Sequence, residues 1–502
     1  MSRFRSEIIG GILGNAVPGS NAFVIGGAAW TYGQLFSLAA QISAKVRDLD
    51  FDLVCLYAVD DIRTYAAILA LWANGKAYVP LNPMQPLTRH QEVIGSVEAG
   101  CVISADPKYA PGLDCVSVMD TSALNADEGG PVLEWKDVPD DALAYIIFTS
   151  GSTGVPKGVP ITRGNLAAFI DSIDATELRV SASDRCLQPF DLTFDFSVSS
   201  YVIPLVKGAC IYTVPPKAIK FLYIASLIED HRLTLLQMVP SMMRNLLPYI
   251  AELDLSSVRY NVFCGEALLV PHIRKWHGAN PEMLSFNMYG PTEDTVFCTY
   301  YLIDKRNIDS LSASNDIVSI GVSYKNNSVL LVDDADKVVD SPSTEGELCL
   351  AGAQLTPGYW RNPGENGKKF FLHGGVRYYR SGDLCYYAPD GTLMFLGRKD
   401  FQVKINGFRV ELGEIEKHFA DASGGRFCVA VPVENAQGNI EIDLVVEGKE
   451  YDCSSEKEYL LSRLPKYEVP SRYLFMRSIP MNQNGKVDRK AVKEYVLDIS
   501  SI

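Results

Sequence analysis

The stretch that decides the fold reads Ala144-Tyr-Ile-Ile-Phe-Thr-Ser-Gly-Ser-Thr-Gly-Val-Pro-Lys-Gly158. Residues 144–149 are mostly apolar and predict a buried strand, and the glycines and hydroxyl side chains that follow predict a loop. Thr162 and Asn165 then supply a cap for a helix. This order of strand, glycine-rich loop and helix is typical of α/β proteins, and it lets backbone N–H groups approach a polyphosphate closely.

The loop differs from two common catalytic loops. It is not the usual P-loop, because Lys157 follows a proline and precedes a glycine instead of Ser or Thr. It is not a nucleophile elbow either, because Ser150 stands two residues before Ser152, where that motif has glycine. Its hydroxyls and its lysine remain candidate phosphate ligands; they are Thr149, Ser150, Ser152, Thr153 and Lys157.

Short apolar strands alternate with helical patterns around this loop. The predicted strands are Val54–Val59, Lys76–Pro80, Cys101–Ser104, Ala144–Thr149, Cys210–Val214, Leu233–Val239, Asn261–Cys264 and Ser285–Asn287, and Thr64–Trp72 is a predicted helix. Such alternation predicts an α/β fold. After Val318 the pattern changes to strands and turns at Ser328–Asp333, Gly346–Ala351 and Leu393–Leu396, which predicts a small β unit.

A boundary is expected at Asp400. Beyond it, Val403–Asn406 predicts a strand and a new helix begins near Gly413. The sequence therefore predicts a large N-terminal body of mixed sheets flanked by helices, residues 1–399, with the small β unit included. Residues 401–502 form a small α+β C-terminal lobe.

The composition indicates a folded protein that acts on small molecules. The chain has 502 residues, 47% of them hydrophobic, and its 46 Lys and Arg against 60 Asp and Glu leave a net charge of −14. The longest apolar run, around Tyr65–Ala73, is about half the length that spans a bilayer. An acidic chain also lacks the basic surface that nucleic acids require. We expect no membrane span and no nucleic-acid partner.

The eleven cysteines and six histidines predict neither zinc binding nor thiol exchange. The two closest cysteines, Cys101 and Cys115, are too far apart for a C-x-x-C pair, and the histidines are scattered. We expect buried thiols in a reducing compartment. Residues 8–17 are interpreted as an amphipathic helix and not as a secretory signal, which favours a cytoplasmic protein.

Eight segments, in order, are similar to the motifs of one family. They are Trp30-Thr-Tyr-Gly-Gln-Leu35, Ala73-Asn-Gly-Lys-Ala-Tyr-Val-Pro-Leu81, the Thr149–Gly158 loop, Asn287-Met-Tyr-Gly-Pro-Thr-Glu293, Gly346-Glu-Leu348, Tyr379-Arg-Ser-Gly-Asp383, Gly397–Glu411 and Asn484-Gly-Lys-Val-Asp-Arg489. Together they resemble the adenylate-forming superfamily. The resemblance is to the amino-acid adenylation domains of nonribosomal peptide synthesis and, in part, to D-alanine–carrier protein ligases.

The resemblance implies ATP and Mg²⁺ as cofactors and a carboxylate that attacks the α-phosphate of ATP. It implies that Glu293 helps to hold Mg²⁺, that Tyr289 stacks on adenine and that Asp383 accepts the ribose hydroxyls. Lys486 resembles the catalytic lysine of a mobile C-terminal lobe, and Asp400 matches the hinge. The expected catalytic residues are Lys486, Glu293, Thr149, Lys157 and Arg398. The expected nucleotide-binding residues are Thr149, Ser150, Gly151, Ser152, Thr153, Gly154, Lys157, Gly265, Glu266, Ala267, Asn287, Tyr289, Gly290, Thr292, Asp383, Arg398 and Lys486.

The same resemblance predicts an amino-acid substrate. Asp195 aligns with the acid that binds the substrate ammonium group, a group that fatty-acyl and aryl substrates lack. The other pocket positions carried over are Phe196, Ser199, Met238, Val262, Cys264, Met288, Val296 and Phe297. Because none is Gly or Ala and four are Phe or Met, we expect a small substrate such as alanine, glycine or serine. A methionine that rotates away would admit a larger one.

A separate partner is expected for the second step. The chain ends soon after Lys486 and contains no Gly-Gly-x-Ser attachment motif, so we expect a phosphopantetheinylated carrier protein in trans. Basic residues between Arg463 and Lys493 form a candidate surface for an acidic partner. The alternative functions are an acyl-CoA synthetase for a non-amino carboxylic acid and a catalytically silent binder.

Overall fold

The structure is a computed structural model, and it describes residues 1–106, 108, 116–128, 132–151, 156–399, 402–405, 407–435, 438–481 and 487–500. The α-helices are α1 Gly10–Asn15, α2 Tyr32–Val46, α3 Ile62–Ala73, α4 Leu87–Val97, α5 Arg163–Asp174, α6 Phe196–Lys207, α7 Lys220–His231, α8 Pro240–Leu246, α9 Val270–Ala279, α10 Pro363–Lys369, α11 Leu412–Ala422, α12 Ser454–Leu461 and α13 Arg489–Ser500.

The strands are β1 Asn21–Ile25, β2 Ala28–Thr31, β3 Leu53–Tyr57, β4 Ala77–Leu81, β5 Cys101–Ser104, β6 Ser117–Asp120, β7 Leu143–Thr149, β8 Lys157–Thr162, β9 Arg185–Gln188, β10 Cys210–Thr213, β11 Leu235–Met238, β12 Tyr260–Phe263, β13 Leu284–Tyr289, β14 Thr299–Ile303, β15 Ala313–Ser314, β16 Ile317–Val318, β17 Val322–Ser323, β18 Asn327–Val332, β19 Val338–Val339, β20 Gly346–Gly352, β21 Phe370–His373, β22 Val376–Tyr387, β23 Leu393–Arg398, β24 Gln402–Ile405, β25 Phe408–Glu411, β26 Cys428–Glu434, β27 Ile440–Glu447 and β28 Arg472–Met476.

The predicted mixed α/β class is confirmed, and the predicted strands are found within a few residues of their expected bounds. Apolar runs become strands buried on both faces, as β3 and β4 show. Helix α3 is buried along its whole length, and Asp61 caps it by accepting a hydrogen bond from the Arg63 N–H. Thr162 and Asn165 form the expected capping box at the start of α5.

Two large sheets contain parallel strands. The first has nine strands in the order β17-β14-β13-β12-β11-β9-β10-β1-β2, and the pairs from β13 to β1 are parallel. The second has six strands in the order β6-β5-β3-β4-β7-β8. In parallel sheets the loops at the carboxyl ends of the strands are where ligand sites form. The residues that follow four of the parallel strands therefore lie at one edge of the sheet, the edge at the carboxyl ends of β9, β11, β12 and β13.

The predicted small β unit is an antiparallel sheet. Its strands run in the order β19-β18-β20-β22-β21, and β23 pairs with β22. The register of that last pair places Asp383 opposite Arg398. The sheet thereby fixes the spacing between a carboxylate and a guanidinium that are 15 residues apart in sequence.

The cysteines have the environment that their spacing predicts. The ten that lie in the described residues form no disulfide, and nine of them are buried. Every helix in the described part of the chain is too short or too polar to cross a bilayer.

The chain divides into two compact units. Unit 1 comprises residues 1–83, 98–147 and 158–399, and unit 2 comprises residues 84–97, 148–157 and 400–502. The sequence predicts that residues 84–97 and 148–157 belong to the N-terminal body, whereas their contacts group them with the C-terminal part. Asp400, the predicted hinge, lies outside the described residues.

A buried ion pair explains why the segment 84–97 groups with unit 2. Arg89 of α4 donates from Nη1 to Oε1 of Glu414 on α11 at 3.1 Å, and the two side chains are 7% and 0% exposed. The other oxygen of Glu414 accepts from the Gly151 N–H at 3.1 Å. Burial raises the pKa of the Glu414 carboxyl, and the charge of Arg89 opposes that shift. The charged form of Glu414 therefore depends on Arg89.

Removing Arg89 should destabilise unit 2. Arg89→Ala leaves the Glu414 carboxylate buried without its cation, so we expect the free energy of unfolding to fall by about 3–5 kcal/mol. The matched control is Arg463→Ala, because Arg463 pairs with Glu92 at 3.8 Å on the surface and should cost less than about 1 kcal/mol. Calorimetric unfolding of the full chain measures both. Equal losses in the two variants would contradict the assignment.

Candidate functional site

Three residues predicted to bind nucleotide meet in unit 1. The Asp383 carboxylate accepts a hydrogen bond from the Tyr289 hydroxyl through Oδ2 and one from Arg398 Nη1 through Oδ1, the latter at 2.7 Å. Arg398 also donates to the carbonyl of Ser381 at 3.1 Å. Tyr289 ends β13, so this cluster joins the carboxyl edge of the nine-stranded sheet to the antiparallel sheet. A buried carboxylate held by two donors suits the binding of ribose hydroxyls, because it can only accept hydrogen bonds.

Burial and charge keep the Tyr289 hydroxyl protonated. Burial raises the pKa of Tyr289 well above its ordinary value, and the neighbouring Asp383 charge raises it further. The phenol is therefore a donor to Asp383 throughout the physiological range. The ring itself is buried among core residues of unit 1.

Glu293 is fully buried in the short turn that follows β13. Its Oε1 accepts a hydrogen bond from the Tyr359 hydroxyl at 2.6 Å, and Tyr359 in turn contacts the Tyr379 hydroxyl at 3.2 Å. Its neighbour Asp294 accepts from the Asn327 amide at 2.8 Å, and burial raises the pKa of the Asp294 carboxyl well above its usual range. Glu293 is thus held by a neutral donor, whereas Asp294 serves the packing of the turn.

Among the described residues, a single carboxylate that acts together with substrate phosphates is the arrangement that fits Mg²⁺. Within them, no group of three or more His, Cys, Asp or Glu side chains is placed to hold a metal. Mg²⁺ is commonly held by one or two carboxylates together with the phosphates of a substrate. Glu293, a buried carboxylate that accepts from a neutral phenol, fits such a role.

Several predicted residues have structural partners. The Asn287 amide donates to the carbonyls of Val318 and Ser319. Glu266 accepts from the N–H and the hydroxyl of Ser241, at 2.8 and 2.9 Å, at the start of α8. Gly265 has a positive φ of 90° where the chain turns after β12. Ala267 is exposed, and Gly290 and Thr292 are half-buried at the end of β13.

An aromatic cluster surrounds Phe196. Its ring stacks on Phe190 with centroids 4.3 Å apart and meets the edge of Phe297 at 5.1 Å. Asp195 precedes it at the N-cap position of α6, but the Asp195 side chain makes no capping hydrogen bond to that helix. Asp191, four residues earlier, instead accepts from the N–H and hydroxyl of Thr193. The two acids of this loop therefore have different roles.

The register of the sheet separates the predicted pocket residues into two faces. Gln237 pairs with Val262 and Val262 pairs with Phe286, so these three point to one side. Met288 lies two residues beyond Phe286 and shares that face. Ser199 joins it by donating to Gln237 Oε1 at 2.7 Å.

Met238 points to the other face. It pairs with Phe263, which pairs with Asn287, and Tyr289 continues that row. The structure therefore does not bring Met238 together with Val262 and Met288; its neighbour Gln237 takes that place. A shift of one residue in a strand exchanges its faces, and the register is not visible in the sequence.

The remaining pocket residues adopt a strained turn. Thr295 and Val296 have φ of 51° and 72°, a region that β-branched residues rarely adopt. The Thr295 hydroxyl donates to the Gln354 carbonyl at 2.6 Å, and the Gln354 amide donates to the Phe297 carbonyl at 2.7 Å. These bonds hold the strained conformation, and such strain concentrates at functional sites. Cys264 is also buried in unit 1.

The phosphate-loop candidates belong to unit 2. The Thr149 hydroxyl lies 3.5 Å from the Lys157 carbonyl, and the Ser150 hydroxyl donates to the Arg409 carbonyl at 2.7 Å. Gly151 donates to Glu414, as described above, and Lys157 is buried at the start of β8. The other predicted members, Ser152, Thr153 and Gly154, lie outside the described residues, as does Lys486.

Comparison with known proteins identifies the family. Residues 14–360, more than half of the chain, match the family model described as AMP-binding enzyme. The chain belongs to the AMP-binding enzyme family. It is an AMP-binding enzyme of the adenylation-domain type, as the eight motifs predict.

Individual relatives agree with this assignment. Over 95% of this chain, it is 31% identical to bacitracin synthase 1 of Bacillus licheniformis. It is also 29% identical to the D-alanine--D-alanyl carrier protein ligase of Bacillus licheniformis, and that match covers 95% of this chain and 97% of the ligase. The first four curated relatives are far longer, since the chain spans only 7% to 10% of their length.

The structural match covers nearly the whole chain. The adenylation domain AlmE of Vibrio cholerae, solved in complex with glycyl-adenosine-5'-phosphate, superposes with a TM-score of 0.86 at 27% identity over 99% of this chain and 98% of that one. The holo form of PA1221, a protein with adenylation and PCP domains, superposes with a TM-score of 0.83 at 24% identity, which shows the same fold.

In this AMP-binding enzyme, three residues that contact predicted site residues were not themselves predicted. Tyr359 contacts Glu293, Gln237 contacts Ser199, and Tyr324 contacts Met288. Gln237 could have been found from the sequence, because it lies beside Met238 in a predicted strand. Tyr359 and Tyr324 lie far in sequence from the residues that they contact, so no local pattern points to them.

Gly290 should be intolerant of a side chain. A Cβ there would lie 2.6 Å from the Val296 carbonyl oxygen and 2.7 Å from the Phe297 Cα. Because both are backbone atoms, Gly290→Ala should destabilise the protein by about 1–3 kcal/mol and disturb the turn at Val296. The matched control is Gly278→Ala in α9, where a Cβ meets nothing within 4 Å. It should be neutral or stabilising. Thermal unfolding compares them, and equal melting temperatures would contradict the expectation.

Proposed function

We propose that this AMP-binding enzyme activates a small amino acid, of the glycine, alanine or serine class, and loads it on a carrier protein. The amino acid is first joined to AMP with release of pyrophosphate and then transferred to the phosphopantetheine thiol of a separate carrier. The observation that carries the proposal is the buried Asp195, which lies beside the aromatic cluster of Phe196 and is not used to cap its helix.

Asp195 supplies the charge that an amino-acid ammonium group requires. A cation placed beside a buried carboxylate interacts with it strongly, because little water screens the two charges. The Tyr145 hydroxyl is buried without a hydrogen-bond partner, and the Asp195 charge adds to burial in raising the pKa of that phenol. In our proposal the substrate ammonium group lies beside Asp195, and the substrate offers a hydrogen-bond partner to the Tyr145 hydroxyl.

The size of the substrate follows from the walls. Phe196 is fixed between Phe190 and Phe297, and the Ser199 hydroxyl is already bonded to Gln237. Walls fixed by such packing favour a short substrate side chain, because they yield little to a larger one. The glycyl-adenylate in the AlmE complex and the D-alanine named in the carrier ligase are both of this size.

The first step needs positioning more than proton transfer. The substrate carboxylate is already ionised, so its oxygen attacks the α-phosphorus directly. A new P–O bond forms, and the bond to the bridging oxygen breaks with its electron pair leaving on pyrophosphate. In our proposal Asp383 and Arg398 orient the ribose, Tyr289 packs against adenine, and the backbone N–H groups of the Thr149–Gly158 loop bind phosphates. Glu293 would hold Mg²⁺, which when bound would neutralise phosphate charge.

The second step transfers the aminoacyl group. The carrier thiol sulfur attacks the acyl carbon, the bond to AMP oxygen breaks, and the thiol proton passes to solvent. We assign Lys486 to the first step and place the reorientation between steps at Asp400. Two of the basic groups between Arg463 and Lys493 are paired within unit 2, since Arg472 pairs with the buried Asp443 at 3.0 Å and Arg489 pairs with Glu416 at 2.6 Å. Reduced, buried cysteines fit activity in the cytoplasm.

Substrate-dependent ATP–pyrophosphate exchange tests the proposal. Purified protein should exchange pyrophosphate with glycine or with an enantiomer of alanine or serine, each enantiomer being assayed, and show little exchange with leucine, phenylalanine or fatty acids. Lys486→Ala should lower the exchange rate by about 10²- to 10³-fold, because a preorganised charge is lost from the transition state. Exchange driven only by non-amino carboxylic acids would favour an acyl-CoA synthetase, and no exchange with any acid would overturn the proposal.

Asp195→Asn should specifically impair amino-acid binding. The amide keeps the shape but loses the charge, so we expect kcat/KM for the amino acid to fall about 10²- to 10³-fold while KM for ATP changes little. The matched control is Asp191→Asn in the same loop, because an asparagine can preserve the turn with Thr193. Steady-state exchange kinetics separate the two constants. If both variants behave alike, Asp195 has no special role.

A further inference from the structure

We propose that Tyr324 is a positioning residue that holds Met288 in place and thereby limits the size of the substrate side chain. This inference rests on the proposed function. Tyr324 is not among the residues that the family motifs assign, and its hydroxyl contacts the pocket residue Met288.

The contact is a single buried hydrogen bond. The Tyr324 hydroxyl donates to the Met288 sulfur at 3.2 Å, and both side chains are 2% exposed. A thioether can only accept, so the phenol must be the donor. Burial raises the pKa of Tyr324 well above its ordinary value, which keeps that hydroxyl protonated. The bond is therefore present throughout the physiological pH range.

Tyr324 is itself rigidly fixed. Its ring lies 5.4 Å from that of Tyr300 on β14, its N–H donates to the Cys298 carbonyl at 2.9 Å, and its carbonyl accepts from Asn327 at 3.0 Å. The preceding strand β17 pairs with β14, and Gly321 lies so close to it that a Cβ would be 1.8 Å from the Tyr300 carbonyl oxygen. Tyr324 cannot follow a movement of Met288.

Holding Met288 matters because methionine adapts easily. Its three rotatable bonds let it move away from an incoming group, which would make a methionine wall permissive. Met288 shares a sheet face with Val262 and Gln237, the face to which Ser199 is bonded. The hydrogen bond from Tyr324 reaches the sulfur, near the end of the Met288 side chain. It therefore restricts the rotation of Met288 at the place where, in our proposal, the substrate side chain extends.

The test compares substrates of increasing size in the full-length protein. Tyr324→Phe removes the donor and keeps the ring. In ATP–pyrophosphate exchange we expect kcat/KM for 2-aminobutyrate and valine, relative to that for alanine, to rise about 3- to 10-fold, as for the loss of one hydrogen bond. KM for ATP should not change. An unchanged ratio would overturn the inference.

Two further variants test whether the ratio rises because the bond to Met288 is lost or because the packing around the pocket is weakened in general. Tyr300→Phe removes a hydroxyl from the adjacent ring, which is also the cross-strand neighbour of Met288, and it keeps the hydrogen bond from Tyr324 to Met288, so it should leave the ratio unchanged. In a Met288→Leu background, which has no acceptor, Tyr324→Phe should add nothing to the ratio. The inference fails if Tyr300→Phe raises the ratio as much, or if Tyr324→Phe still raises it in the Met288→Leu background.

The failure of this inference differs from failure of the proposed function. Exchange of small amino acids by the wild type with an unchanged ratio in Tyr324→Phe would reject only the role of Tyr324. Absence of amino-acid exchange in the wild type would reject both. If Tyr324→Phe does not fold, Met288→Leu alone decides, because it conserves volume and removes the acceptor. It should raise the ratio, and no rise would overturn the inference.

Discussion

The paired hydrogen bonds on Asp383 are the interaction on which unit 1 depends. One comes from Tyr289 at the end of the nine-stranded sheet, and the other comes from Arg398 on a neighbouring antiparallel strand. A buried carboxylate is stable only when donors or a cation compensate its lost hydration. The same requirement that fixes the two sheets to each other therefore presents an acceptor group at the carboxyl edge of the parallel strands, where a nucleotide can bind.

The proposed amino-acid pocket follows a related rule in which side chains are fixed by neighbours. Ser199 bonds to Gln237, Met288 to Tyr324, and the strained turn at Val296 is held through Gln354. Each hydrogen bond restricts the movement of a side chain or turn that apolar packing alone would leave free to adjust. Asp195 is buried beside this wall and makes no cap to its own helix, and in the proposed function it binds the substrate ammonium group.

In unit 2 the start of the glycine-rich loop is held by the part of the chain that follows it. Glu414 accepts from the Gly151 N–H while Arg89 compensates its charge, and the Ser150 hydroxyl bonds to the Arg409 carbonyl. Backbone N–H groups in such loops are donors for anions. In this conformation a carboxylate of the protein occupies one of these donors, so a phosphate bound there in the proposed function would compete with Glu414 for the Gly151 N–H.

The sequence by itself determined the strands, the capping of α5, the family and the residues that form the Asp383 cluster, because apolar periodicity, caps and motif order are local properties. It did not determine which of Met238 and Gln237 faces the pocket, since that depends on the pairing of β11 with β12. It also gave no sign of the pairing of Arg89 with Glu414, which lie 325 residues apart, or of Tyr324 with Met288. Those contacts exist only once the chain has folded, because long-range packing, and not local sequence, brings their atoms together.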